Sequence, residues 1–126
     1  MIMDKVLSSR ILRAAPGGGA EIAIRLPWYR ALPLSVIEIV RVRIDGEPIA
    51  RERVQIIVDG RGFAIDDMKN QTEVVWYMRD DAFLRVDGFE LVSGQAYRVE
   101  VSISWNPPYA KGWWPVTDCA DTLQAA

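Results

Sequence analysis

Apolar side chains recur at every second position from Tyr97 through Val99, Val101 and Ile103 to Trp105, with Arg98, Glu100, Ser102 and Ser104 between them. Only an extended backbone shows the same face every two residues, so this run predicts a strand. No segment carries a comparable helical period. Ile22, Ile24 and Leu26 alternate with Glu21, Ala23 and Arg25 after the breaker Pro16-Gly17-Gly18-Gly19, which predicts a half-buried strand. Val54, Ile56 and Val58 predict another, Phe63 with Ile65 a short one, and Ala82–Val86 one more. From Val36 to Ile44, alternation places Val36, Glu38, Val40, Val42 and Ile44 on one face and Ile37, Ile39, Arg41 and Arg43 on the other. That strand reads as covered at its start and solvated later. Val74–Met78 is bulky on both faces, with Val74, Trp76 and Met78 opposed to Val75 and Tyr77, and reads as a central strand.

Turn chemistry divides these runs. Asp45-Gly46 is a hairpin signal because both residues tolerate the positive φ of a type I′ turn, and Pro48 beyond it marks an edge position. Asp59-Gly60 and Asp87-Gly88 close other segments, and Asp66-Asp67-Met68-Lys69 suits a single helical turn. The fold class is therefore all-β: a single-domain antiparallel β-sandwich of about seven or eight short strands. The domain is taken as residues 1–126. Residues 105–126, with Asn106-Pro107-Pro108-Tyr109 and Gly112-Trp113-Trp114-Pro115, read as an irregular tail rich in aromatics and proline.

Composition narrows the function. Fifteen Lys plus Arg against 17 Asp plus Glu give a net charge of -2, which offers no electrostatic footprint for duplex DNA or acidic lipid. No apolar run approaches the roughly 20 residues that span a bilayer, and Cys119 alone cannot make an internal disulfide. The expectation is a cytoplasmic protein that binds neither nucleic acid nor membrane.

There is no histidine. That removes the usual general base near neutral pH and the commonest metal ligand together. The serines and Cys119 have no histidine to activate them, and Pro16-Gly17-Gly18-Gly19 lacks the Lys-Ser/Thr of a phosphate loop. Asp66, Asp67, Glu73, Asp80 and Asp81 have no metal-loop spacing and read as strand ends and solvated loops. No catalytic residue and no metal ligand is assigned to this chain.

Aromatic and basic residues are the remaining candidates. Trp28, Tyr29 and Arg30 lie between Pro27 and Pro33, which restrict the backbone and hold bulky groups in a fixed loop. Such a cluster is either an interface anchor or a plug at the end of the sandwich; with its prolines it points to recognition. Trp113 and Trp114 are open to three uses: a platform for sugar C–H faces, a strap over the core, or a docking segment against another subunit.

Three stretches carry a resemblance: Pro27-Trp28-Tyr29-Arg30, Leu32-Pro33-Leu34-Ser35 and Ile44-Asp45-Gly46-Glu47-Pro48. With them the chain resembles the small β subunit of bacterial C-glycoside deglycosidases, and agreement continues through Asp66-Asp67-Met68, the Trp76 segment and the run into Pro108-Tyr109. The resemblance implies a β-sandwich subunit of a heteromeric carbon–carbon lyase. Its partner would be a catalytic α subunit of sugar-isomerase-like barrel fold with a divalent metal, usually manganese. The substrate would be a C-glycoside, of a flavonoid for example, already oxidised to its 3-oxo sugar. Loss of the acidified C2 proton would then let the aglycone leave. Pro27, Trp28, Tyr29, Arg30, Leu32, Pro33, Leu34, Tyr109, Trp113 and Trp114 are the expected partner interface. The alternative is a stand-alone carbohydrate- or glycoside-binding sandwich that uses Trp113 and Trp114, and a third class is a structural homo-oligomer.

Overall fold

The structure, a computed structural model, describes residues 6–28, 30–106, 112 and 114–126. Its strands are β1 (Leu12–Ala14), β2 (Ala20–Ile24), β3 (Leu32–Pro33), β4 (Ile37–Ile44), β5 (Glu47–Pro48), β6 (Val54–Val58), β7 (Arg61–Ala64), β8 (Val75–Trp76), β9 (Ala82–Val86), β10 (Ala96–Trp105) and β11 (Val116–Gln124). One sheet runs β1-β2-β9-β6-β7, a second β11-β10-β4-β5, and β3 pairs with β8 in a two-stranded piece. Ile22, Ile24, Ile56 and Leu84 of the first sheet share one core with Ile39, Val42, Val101 and Ile103 of the second. This is the all-β architecture read from the alternation, divided into more strands than expected.

The Asp-Gly pairs turn as their chemistry requires. Asp45 and Gly46 have φ of 52° and 79°, Asp59 and Gly60 of 52° and 78°. Both are two-residue connections, since Ile44 pairs with Glu47 and Val58 with Arg61. Pro48 lies on β5, an edge strand, and residues 65–70 form a 3-10 turn where one helical turn was expected. A parallel bridge from Leu12 to Ala125, with the Ala126 N–H donating to the Leu12 carbonyl at 2.9 Å, ties the outermost strand of one sheet to the end of the other.

Four expectations are corrected. In β4, Ile37 and Ile39 face the core, and so do Val42 and Ile44, although they differ in parity. The register against β10 shifts between Ser102, opposite Arg41, and Ile103, opposite Ile39. Val40 is the extra residue of a β-bulge, and one extra residue exchanges the faces of all that follows. Strand β2 is buried on both sides, not half-buried. Its Glu21 lies between Arg13 and Arg85 on the neighbouring strands, and the Arg13 guanidinium sits 4.2 Å over the Phe83 ring, so long side chains roof the outer face.

The segment 74–78 is not a central strand. Only Val75 and Trp76 are extended, against β3, and the chain turns at once because the Asp80 N–H donates to the Tyr77 carbonyl at 3.0 Å. The interior positions belong instead to β2, β9 and β6 of one sheet and β10 and β4 of the other, each flanked on both sides. Finally, the region read as an irregular tail contains β11, which pairs with β10 from Ala96–Gln124 to Ser104–Val116.

Gly19 illustrates a backbone requirement. Its φ is +90°, and a Cβ there would lie 2.5 Å from the Val86 carbonyl oxygen, a backbone atom that cannot swing aside. Gly19→Ala is expected to lower unfolding free energy by about 1–3 kcal/mol. Urea denaturation measures it, with Gly17→Ala, where nothing stands within 4 Å of the added atom, isolating the cost of positive φ alone.

Candidate partner-docking site

The connection from β2 to β4 and the residues after β10 meet at one end of the sandwich. Trp28 is 8% exposed, and its ring lies 5.4 Å from that of Trp105 at an interplanar angle of 55°. Tilted rings at this separation satisfy the aromatic quadrupoles while both bury their area. Leu32 and Leu34 are buried beside them, and so is Pro27. Backbone bonds fix the loop: the Leu34 N–H donates to Val74 (2.8 Å), Ser35 to Gln71 (3.1 Å) and Asn106 to Val36 (2.8 Å). The β3–β8 pairing adds Trp76, fully buried opposite Leu32.

The expected interface residues therefore divide. Pro27, Trp28, Leu32 and Leu34 give their side chains to the core, so in the isolated chain they shape this end without offering it their apolar surface. Arg30 is exposed and Pro33 half-buried. Trp114 is 46% exposed and stands over a cleft of about 470 Å³ with Ser35, Glu38, Asp66 and Lys69 on its walls. Tyr29, Tyr109 and Trp113 lie outside the described residues.

Two residues read from the sequence as part of a covered strand stand out on the surface at this end. Tyr77 is 59% exposed and Met78 39%, with exposed Arg79 next in the chain. The available signal was Arg79-Asp80-Asp81 directly after Trp76-Tyr77-Met78, a run too polar for the strand to continue.

Asp81, Asp66 and Glu21 are engaged in holding the fold. Asp81 accepts from Ser9 Oγ (2.6 Å) and Arg25 Nε (3.1 Å), and Asp66 from Arg51 Nε and Nη2 (2.9 and 2.8 Å). Glu21, inside its arginine pair, is equally structural. Among the described residues no three Asp, Glu, Cys or His side chains converge as a metal ion requires, so these donors do not fit a divalent metal site. No helix among them is long and apolar enough to cross a membrane.

A family profile described as C-glycoside deglycosidase beta subunit matches residues 7–109. The chain belongs to the C-glycoside deglycosidase beta subunit family. It is 38% identical over 109 residues to a protein named 3'-dehydrocarminate deglycosidase beta subunit from Microbacterium sp, covering 86% of this chain and 81% of that one. It is 31% identical, again over 109 residues and 86% of its length, to a C-glycoside deglycosidase beta subunit from Microbacterium trichothecenolyticum, of which it covers 82%. A third relative, from Arthrobacter globiformis and of the same name, is 30% identical over 87 residues, 69% of this chain and 66% of the other. The matched span in the C-glycoside deglycosidase beta subunit profile includes both the Trp28 loop and the Tyr77 turn.

Proposed function

We propose that this chain is the small, non-catalytic subunit of a cytoplasmic C-glycoside deglycosidase, a lyase that splits the carbon–carbon bond of 3-oxo-C-glycosides, those of flavonoids among them. The observation that carries this reading is the family match over residues 7–109. The residue inventory supports it: deprotonating a sugar carbon and protonating a departing aromatic carbon require positioned acids and bases. Here Asp66 and Asp81 are tied to arginines, and histidine is absent from the sequence.

The active centre accordingly belongs to an α subunit of sugar-isomerase-like barrel fold. When bound there, a divalent metal such as manganese supplies charge stabilisation. The role of the present chain is to dock on that subunit in a hetero-oligomer and hold the mouth of its site, with Arg30 as a planar fork for a carboxylate or carbonyls at the contact. Trp28, Leu32 and Leu34 set the loop from beneath.

Reconstitution tests this. The chain and its α subunit, purified separately and mixed, are expected to co-elute on gel filtration and release aglycone from a 3-oxo-C-glycoside, with the present chain alone inactive. Full activity of the α subunit without this chain, or turnover by this chain alone after metal removal, overturns the reading. The half-exposed Trp114 over its polar cleft favours a second reading, a stand-alone glycoside-binding module. That one requires ligand-dependent tryptophan fluorescence from the isolated chain, abolished by Trp114→Ala.

A further inference from the structure

We infer that the turn Tyr77-Met78-Arg79 is the principal anchor by which this chain docks on the α subunit, an inference that rests on the subunit reading above. The residue types are those enriched at the centres of protein interfaces, where an aromatic ring, a pliable thioether and a guanidinium fill desolvated pockets. Two adjacent large apolar side chains left in water beside a cation are a surface that a monomer does not need.

The turn is also held in shape from behind. The Asp80 N–H donates to the Tyr77 carbonyl at 3.0 Å, which closes it, and the indole N–H of fully buried Trp76 donates to the Asp80 carbonyl at 2.9 Å. Next along, Asp81 is clamped by Arg25 at 3.1 Å and Ser9 at 2.6 Å, so both flanks of the turn are pinned to the sandwich. An exposed turn with that support loses little conformational freedom when a partner covers it.

Clefts of about 500 and 580 Å³ lie on its two sides, and Arg25 and Arg79 line both. They give the partner's surface room to close around the tip. Pairing of β3 with β8 makes the turn continuous with the Arg30 and Pro33 surface proposed above, so both belong to one end of the molecule. The chemistry of the occupant follows. Tyr77 and Met78 require an apolar pocket, and Arg79, which makes no ion pair among the described residues, requires a carboxylate at that pocket's rim.

The test uses the full chain and the purified α subunit of the same enzyme, with affinity measured by biolayer interferometry. Tyr77→Ala is expected to weaken binding by about thirtyfold or more, the threshold of an interface hot spot. Met78→Ser and Arg79→Glu should each weaken it as well. Val92→Ala, equally exposed at 59% but in the connection to the opposite end of β10, should leave it within about twofold.

Hydrogen exchange on the unmodified complex gives a readout independent of any variant: amides 77–81 should gain protection on assembly. Wild-type binding with no loss in the three variants and no protection at 77–81 overturns the anchor and leaves the subunit reading standing. Failure of the wild-type chain to bind the α subunit sinks that reading and the anchor with it. Sedimentation supplies the last outcome. If Tyr77→Ala instead dissolves a self-associated form of this chain, the turn is a contact between copies and the inference is wrong.

Discussion

Trp76→Ala is expected to remove about 3–5 kcal/mol of stability, the range for deleting a large aromatic from a packed interior. Trp76 is fully buried and is the largest such side chain among the described residues. It stands on a strand of only two residues, so little local hydrogen bonding remains if the ring is lost. Domains of this kind have about 5–15 kcal/mol in all, and the variant should show a large drop in urea midpoint. Trp76→Phe separates the two roles of the indole. It keeps most of the buried area and loses the bond to Asp80, so its cost should be nearer about 1–2 kcal/mol, with faster amide exchange confined to 77–81. A Trp76→Ala variant within about 1 kcal/mol of wild type would mean that the β3–β8 piece is an appendage to the core.

Glu21→Ala should cost about 3 kcal/mol, because it strands the arginines that the carboxylate now holds. Glu21 is 4% exposed; Oε1 accepts from Arg13 Nε at 3.1 Å, and Oε2 from Arg85 Nε and Nη2 at 3.1 and 2.7 Å. Both arginines keep an exposed portion, so water recovers some of the loss and the figure belongs at the lower end for a broken buried pair. Replacing Glu21 and Arg85 together by leucine removes the more buried of the two stranded charges and leaves only half-exposed Arg13, so the double variant should be more stable than Glu21→Ala alone. Chemical denaturation of the three proteins provides the comparison. Equal loss in the single and double variants would show that packing of the Glu21 stem, not charge, dominates.

These residues also indicate which parts of the fold the sequence discloses. Strand β10 is legible because one of its faces meets the core while the other carries Arg98, Glu100 and two serines, Ser102 and Ser104, that are polar although buried, and alternation records that difference. Strand β11 is not, because it is an edge: of its residues only Thr117 and Leu123 are buried, and the aspartates and small side chains between them carry no contrast. The 74–78 segment misleads for the opposite reason. Trp76 and Tyr77 have similar bulk, yet one is core and the other surface, and hydrophobicity alone cannot distinguish an aromatic that packs inward from one kept outside.

The candidate site divides in the same way. The prolines around Trp28 and Tyr29 mark a rigid loop in the sequence, but whether its rings point inward depends on Trp105 and the β3–β8 pairing, contacts remote along the chain. The Tyr77 turn carried no such mark, since its support comes from Arg25 and Ser9 far upstream.

The bulge at Val40 bears on how this family is compared. Strand β4 consists of two half-strands that are out of phase by one residue, reconciled where the ladder skips. An alignment that loses or gains a single position there would still look conservative letter by letter, yet it would pair inward residues with outward ones along the rest of the strand. Gaps near residue 40 are therefore structural statements, and profiles that penalise them uniformly will misjudge which positions of distant members line the interior.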